Sequence, residues 1–321
     1  MTEFELIRTY FSDLGTRRDD VLLGVGDDGA VVQPPPGQAL VLATDALVAG
    51  VHFPEDAPAE TVGEKALAVN LSDLAAMGAD PAWLQLALIL PEADPVWLEG
   101  FARGLGGLAR YHQVRLVGGD IARGPLTVTV QVAGSVPPGA ALRRRGARPG
   151  DAVVVSGALG DAALGLNLWR GRADRDDDDV AYLVNRLHRP TPRVSLGRAL
   201  RGRATAAIDI SDGLAADLGH LLQASGVGAT LDVDRLPLSE PGMRFGGRQR
   251  QWRTALTGGD DYELCFTLPR SRLHELDALA SRLGVALTRV GTVQQESGLR
   301  LVRGDNSPVA LETAGYRHFP E

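Results

Sequence analysis

Glu60-Thr61-Val62-Gly63-Glu64-Lys65-Ala66-Leu67-Ala68-Val69-Asn70-Leu71-Ser72-Asp73-Leu74-Ala75-Ala76-Met77 is closed by Gly78 and followed by Pro81 and the apolar run 83–90. The spacing predicts a helix over 60–77 that feeds a strand. Gly78 stands where a helix ends, because glycine accepts the left-handed conformation of a helix stop. Leu67, Val69, Leu71, Leu74 and Ala75 wrap most of the helical cylinder, so the helix is expected to be buried. Asn70 and Asp73, three apart, share one face. A buried aspartate without a partner is expensive, which favours Asp73 as a metal ligand over a solvated residue.

Working outward, helix and strand signals alternate irregularly. The segment 2–14 reads as a short amphipathic helix with Phe4, Leu6, Ile7, Tyr10 and Phe11 on its apolar side, and 21–23 as a strand. Strands over 40–44 and 114–117 are expected to end just before Asp45 and Asp120, with a helix over 94–111 between them. The run 126–136 alternates with period two, Val128, Val130 and Val132 against Thr127, Thr129 and Gln131. Pro137-Pro138-Gly139 and Ala147-Arg148-Pro149-Gly150-Asp151 bracket a boundary that divides the chain into domains 1–138 and 147–321. The second half reads as strands near 152–156, 204–210, 229–233, 262–268, 286–293 and 299–303, with helices over 157–169, 180–187, 193–201, 214–225 and 270–283. The charged run 175–179 reads as a solvated loop. Each half mixes strands and helices without strict alternation, so the fold class is α/β in the mixed α+β sense, with no expectation of parallel sheets.

Five short segments carry aspartates, four of them beside glycine: Gly24-Val25-Gly26-Asp27-Asp28-Gly29, Ala43-Thr44-Asp45, Gly118-Gly119-Asp120, Asp209-Ile210-Ser211-Asp212-Gly213 and Gly258-Gly259-Asp260-Asp261. Carboxylates gathered at strand ends repel, by roughly 3 kcal/mol per pair at about 5 Å and an effective dielectric near 20. A fold that collects them must protonate some or bind cations. Hard oxygen ligands favour magnesium, which usually arrives with substrate phosphates. The first segment matches the dinucleotide fingerprint G-x-G-x-x-G, but its two aspartates occupy the approach a pyrophosphate needs, and Val31-Val32 suggests a strand where a helix should start. It suits a metal bridge or a plain hairpin turn. Thr44 can add a hydroxyl or carbonyl oxygen beside Asp45. His52 has no second ligand at zinc spacing and reads as a phosphate contact or a surface histidine. Asp212 or Ser211 can cap the following helix, whose start can at the same time face an anion. Arg143-Arg144-Arg145 is a basic turn able to clamp a nucleotide phosphate.

Composition sets the bounds. The 321 residues suit two domains. A net charge of -7 argues against a basic nucleic-acid-binding face. The single cysteine, Cys265, allows no internal disulfide and fits a reducing, cytoplasmic compartment. No membrane span or signal-peptide core is expected. There is no G-x-x-x-x-G-K-[ST] loop, no protein-kinase motif set and no G-x-S-x-G elbow.

Taken in order, Gly24–Asp28, Ala43–Val48 with Gly50-Val51-His52-Phe53, Lys65–Ala79, Ile208–Leu214 and Gly258–Leu264 resemble the thiamine-monophosphate kinase family, in the superfamily of aminoimidazole ribonucleotide synthetase. The resemblance runs from about Phe4 to the carboxyl end. It implies an aminoimidazole ribonucleotide synthetase-like fold, with an N-terminal sheet domain that pairs with its twin in a homodimer and a C-terminal α/β domain. It implies ATP-dependent phosphorylation of thiamine monophosphate. It implies several magnesium ions at Asp28, Thr44, Asp45, Asp73, Asp120 and Asp209, with a further ion at Asp212. It implies ATP contacts at Gly119, Asp120, Arg144 and Ser211, and thiamine phosphate near His52, Asp260 and Tyr316. Asp45, Asp73, Asp120 and Arg144 become the catalytic set. Ala43 stands where relatives often carry serine, which leaves only its carbonyl as a metal ligand, and Asp260 stands where they often carry the longer glutamate.

Three readings compete. Besides the kinase, aminoimidazole ribonucleotide synthetase itself is the harder superfamily rival. The selenophosphate synthetase and hydrogenase-maturation relatives use cysteines near their starts or ends, where this chain has none. A non-catalytic magnesium-nucleotide sensor would bind ATP without releasing ADP.

Overall fold

A computed structural model describes residues 2–174, 176–311 and 315, and of Gln249 the backbone alone. The chain divides into two compact units, Met1–Leu74 with Ala79–Ala141, and Ala75–Gly78 with Leu142–Glu321.

The first unit begins with α1 (Glu3–Leu6), opened by a capping box in which Thr2 accepts from the Glu5 amide. A π-helical stretch, Ile7–Phe11, continues it. The expected apolar face is only partly buried. Leu6 and Phe11 are covered, while Phe4 is 80% exposed. Strands β1 (Val21–Leu23) and β2 (Val31–Val32) form an antiparallel hairpin. Then come β3 (Ala39–Val48), α2 (Ala59–Ala76), β4 (Asp80–Leu90), α3 (Pro95–Tyr111), β5 (Arg115–Arg123) and β6 (Thr127–Val136). The four long strands make one sheet in the order β3-β6-β4-β5, antiparallel except for β4 with β5. Val128, Val130 and Val132 are fully buried, as the alternation requires. The helix of the opening stretch forms with its apolar cylinder covered, and Gly78 follows it at φ +66°.

Two strands run further than the sequence suggests. β3 passes through Asp45 to Val48 and β5 passes through Asp120 to Arg123. These aspartates lie mid-strand, because ladder pairing with β6 and β4 holds them extended despite their weak strand propensity.

The second unit contains β7 (Ala152–Ser156), α4 (Asp161–Arg170), α5 (Asp178–His188), α6 (Val194–Leu200), β8 (Ala206–Ile210), α7 (Leu214–Ser225), β9 (Gly228–Asp232), α8 (Glu240–Thr257), β10 (Glu263–Leu268), α9 (Leu276–Leu283), β11 (Leu287–Gln294) and β12 (Gly298–Val302). Its six-stranded sheet runs β12-β9-β11-β7-β10-β8, antiparallel except for β12 with β9. β7, β8 and β10 are buried along their whole length. The charged run is not simply a loop. Asp177 caps α5 by accepting from the Asp179 and Val180 amides, and Asp179 pairs with Arg244. Helix α8 has no counterpart in the sequence reading. Ser239 caps it, and Gly247 breaks it at φ +64°. Among the described residues no helix is long and apolar enough to cross a membrane.

Helices α2 and α3 touch backbone to backbone. A Cβ on Gly104 would lie 1.9 Å from the Glu60 carbonyl oxygen. Alanine normally stabilises a helix interior by about 1 kcal/mol over glycine. Here overpacking costs about 1–3 kcal/mol and reverses that sign. Gly104→Ala should therefore lower the urea midpoint, whereas the same change at the open position Gly107 should raise it.

Candidate active site

In the first unit, the register decides where the carboxylates point. Asp45 lies across from Val130, Leu86 and Gly119, while Ala46, Thr129, Ala87 and Asp120 form the adjacent row. Successive side chains leave opposite faces of a sheet. Asp45 therefore shares the face of buried Val41 and Leu47, and Asp120 leaves by the other face. Thr44, exposed, also points away from Asp45, so only its carbonyl can join Asp45 at one ion. Ala43 shares the Asp45 face.

Asp45 lies on edge strand β3, and its amide donates to Asn70 Oδ1 at 3.0 Å. Asn70 is fully buried and its Nδ2 donates to the Ala66 carbonyl, so it bonds both to its own helix and to the sheet edge. Asp73 follows one turn later on α2, half-buried. Burial pushes the Asp45 carboxyl above the usual carboxylate range. Among the described residues no hydrogen-bond donor or cation reaches that carboxylate. A desolvated, unmatched carboxylate of this kind suits a hard divalent cation. His52 lies near the same strand. Its Nδ1 accepts from the Val48 amide at 3.0 Å.

The Gly24–Gly29 segment is the connection of the β1–β2 hairpin, not the start of a helix, which excludes the dinucleotide fingerprint. The hairpin packs Val21, Ala30 and Val32 near Trp83 and Val117. A cavity of about 400 Å³ opens here, where Asp27, Asp28, Gly119 and Asp120 meet an apolar wall that includes Ile7 and Phe11. The structure thus brings Asp28 together with Asp120, and Asp45 next to Asn70 of the Asp73 helix. Among the described residues no three His, Cys, Asp or Glu side chains cluster closely enough to hold an ion by themselves.

In the second unit, Asp209 is buried near the end of β8, and Ser211 and Asp212 follow it. Neither caps α7. Gly213 occupies the N-cap with no side-chain bond. Asp217, which the sequence reading passed over, reaches back from the first turn of the helix. Its Oδ2 accepts from the Ser211 and Asp212 amides, each at 3.0 Å. Asp260 meets this turn, its amide donating to the Ser211 carbonyl at 2.9 Å. Arg144 lies elsewhere. Its carbonyl accepts from Ser225 at the far end of α7, about 18 Å of helix from Ser211. Tyr316 lies outside the described residues; Gly315 comes against the Asp212 carbonyl.

The residues that follow Asp260 in the chain belong to a buried ionic cluster. Glu263 is fully buried, accepts from Ser156 Oγ at 2.6 Å and pairs with Arg186 at 3.0 Å and Arg193 Nε at 2.6 Å. Asp261 accepts from the Gly160 amide at 2.8 Å, and burial pushes its carboxyl well up. Asp161 accepts from Ser239, Tyr182 and Gln251. Asp260 and Tyr262 take φ of +71° and +50°. Such conformations in non-glycine residues persist only where the surroundings hold them, and they gather at functional sites.

Residues 26–136 match the AIR synthase related protein N-terminal domain, and residues 148–304 match the AIR synthase related protein C-terminal domain. Over 319 residues the chain is 50% identical to the thiamine-monophosphate kinase of Salmonella typhimurium, a match spanning 99% of this chain and 98% of that one. The chain belongs to the thiamine-monophosphate kinase family. The crystal structure of a family member from Stenotrophomonas maltophilia superposes with a TM-score of 0.86 at 49% identity, covering 89% of this chain and 92% of that one. A second structure, described as AaThiL complexed with AMPPCP and TMP, superposes with a TM-score of 0.80 at 34% identity, with 92% of each chain covered. The family fold therefore spans both units, including the acidic segments.

Glu263 is the anion between two arginines with little access to water. Glu263→Gln removes its charge, deprives Arg193 of its anion and leaves Arg186 with only the neighbouring Asp261 and Asp161. It should cost about 3–5 kcal/mol of stability, measured as a lowered urea midpoint, because breaking a buried pair from one side is far dearer than the pair's own worth.

Proposed function

We propose that this chain transfers the γ-phosphoryl group of ATP to thiamine monophosphate, giving thiamine diphosphate and ADP. The single observation that carries the reading is the full-length match at 50% identity to a thiamine-monophosphate kinase. The unmatched Asp45 carboxylate supports it, because it leaves a hard-cation position in the same fold. The AaThiL complex with AMPPCP and TMP supports the substrate pair, an ATP analogue beside the acceptor.

The acceptor is a phosphate oxygen, already anionic near neutral pH, so no strong general base is needed. The barrier is repulsion between two polyanions. Magnesium, when bound, offsets that charge and aligns the transferring group. In this reading Asp28, the Ala43 and Thr44 carbonyls, Asp45, Asp73, Asp120, Asp209 and Asp212 hold several ions. Supply of carboxylates in ones and twos suits magnesium, which completes its shell with phosphate and water. Gly119 and Ser211 meet ATP at the backbone. Arg144 clamps nucleotide phosphate, and His52, Asp260 and Tyr316 meet the thiamine phosphate. The chain works as a cytoplasmic homodimer. Edge strand β3 supports pairing of copies, since Leu40 and Leu42 on it are 46% and 61% exposed.

The test is a product assay. ATP, thiamine monophosphate and magnesium should yield one ADP per thiamine diphosphate, and a chelator should stop the reaction. ATP binding without ADP release would favour a sensor, and turnover of the amidine nucleotide instead would favour an aminoimidazole ribonucleotide synthetase.

Asp45→Asn should abolish turnover. In chelator its melting temperature should equal or exceed that of the unaltered protein, because an amide escapes the desolvation penalty borne by the carboxylate. A large drop in melting temperature would mark Asp45 as structural.

A further inference from the structure

We infer that Asp217 is a positioning residue for both substrates: its carboxylate fixes the Ser211–Asp212 turn, and that turn fixes the backbone of Asp260. The inference rests on the proposed phosphoryl transfer, in which Ser211 and Asp212 serve the nucleotide and its ions and Asp260 serves the acceptor.

Asp217 is 4% exposed and sits on α7 beside Leu214, Leu218 and Leu221, all buried. A carboxylate is an expensive occupant of such a place, and an apolar side chain would pack there without that cost. What the carboxylate contributes is visible in its bonds. One oxygen, Oδ2, takes two successive backbone amides, Ser211 and Asp212, at 3.0 Å each. This fixes the plane of the peptide between them and, because N–H and C=O of a trans peptide point oppositely, turns the Ser211 carbonyl away from Asp217.

That carbonyl is the link to the second loop. It accepts from the Asp260 amide at 2.9 Å, and the preceding Ile210 carbonyl accepts from the Tyr262 amide at 2.8 Å. The two loops meet backbone to backbone, since a Cβ on Gly259 would lie 2.4 Å from the Ser211 oxygen. Asp260 and Tyr262, both at positive φ, are held in place by these two bonds. A tilt of the 211–212 peptide therefore moves the acceptor side as well as the nucleotide side. Displacements of about 1 Å at a reacting centre cost on the order of 100-fold in rate.

The experiment compares Asp217→Leu, which deletes the acceptor, with Asp217→Asn, which keeps an oxygen able to take both amides. Steady-state kinetics would be read alongside thermal melting and amide exchange over residues 209–213. Asp217→Leu should stay folded, raise KM for ATP and for thiamine monophosphate about tenfold or more, lower kcat/KM about 100-fold, and speed exchange at Ser211 and Asp212. Asp217→Asn should stay within about threefold of the unaltered enzyme. Unchanged KM values in Asp217→Leu, a rise for one substrate alone, or equal damage in both variants would overturn the inference. Should Asp217→Leu fail to fold, Gly259→Ala probes the same junction from the other loop, and wild-type KM values there would overturn it equally. If the unaltered chain makes no thiamine diphosphate, the proposed function fails; slower or unchanged exchange in Asp217→Leu is what would sink this inference independently.

Discussion

A carboxylate moved out of water raises the energy of the fold that moves it, unless a cation or a set of donors comes with it. Two carboxylates show two ways of meeting this constraint, although other carboxyls of the second unit, Asp261 and Asp217 among them, are also pushed up by burial. In the second unit Glu263 is matched within the chain, by Arg186, Arg193 and Ser156. In the first unit Asp45 is half-buried with no such match among the described residues, and its carboxyl is pushed toward protonation. One gives an internally matched ion cluster. The other leaves a desolvated charge, the position at which the proposed magnesium would act in a phosphoryl transfer between two anions.

The matched cluster has a second consequence. It includes Asp261 and Glu263, the chain neighbours of Asp260 and Tyr262, whose backbones take conformations that cost of order 1–3 kcal/mol each. The bonds to Asp261 and Glu263 restrain that loop on either side of Tyr262. The bonds from Ser211 and Ile210 complete the restraint from the side of β8. Placing functional groups on turns tied to buried strands gives precision that an isolated loop lacks.

Much of this was legible in the chain. The helix through Asn70 and Asp73 follows from its unbroken apolar content and its glycine stop, and β6 follows from strict alternation. The acidic segments, four of the five with an aspartate beside glycine, are what lead the sequence reading to cation chemistry. Other features were not legible for identifiable reasons. Helix α8 is rich in arginine and glycine, carries little periodic apolar signal and is kinked at Gly247, so tertiary packing of Trp252, Ala255 and Leu256 rather than local preference makes it a helix. Asp217 looks like any acidic residue in the first turn of a helix; only the turn of the chain at Gly213 reveals the amides it serves.

The sequence by itself determined the mixed α/β class, the family and the identity of the acidic side chains, because periodicity and motif order are local properties. Only the tertiary structure decided which of those side chains keep company. A strand flips its side chains at every residue, so Asp45 and Asp120 part to opposite faces once the register is set. Cross-strand pairing also carries both residues into mid-strand. Register and pairing depend on partners far away in the chain, and no local pattern records them.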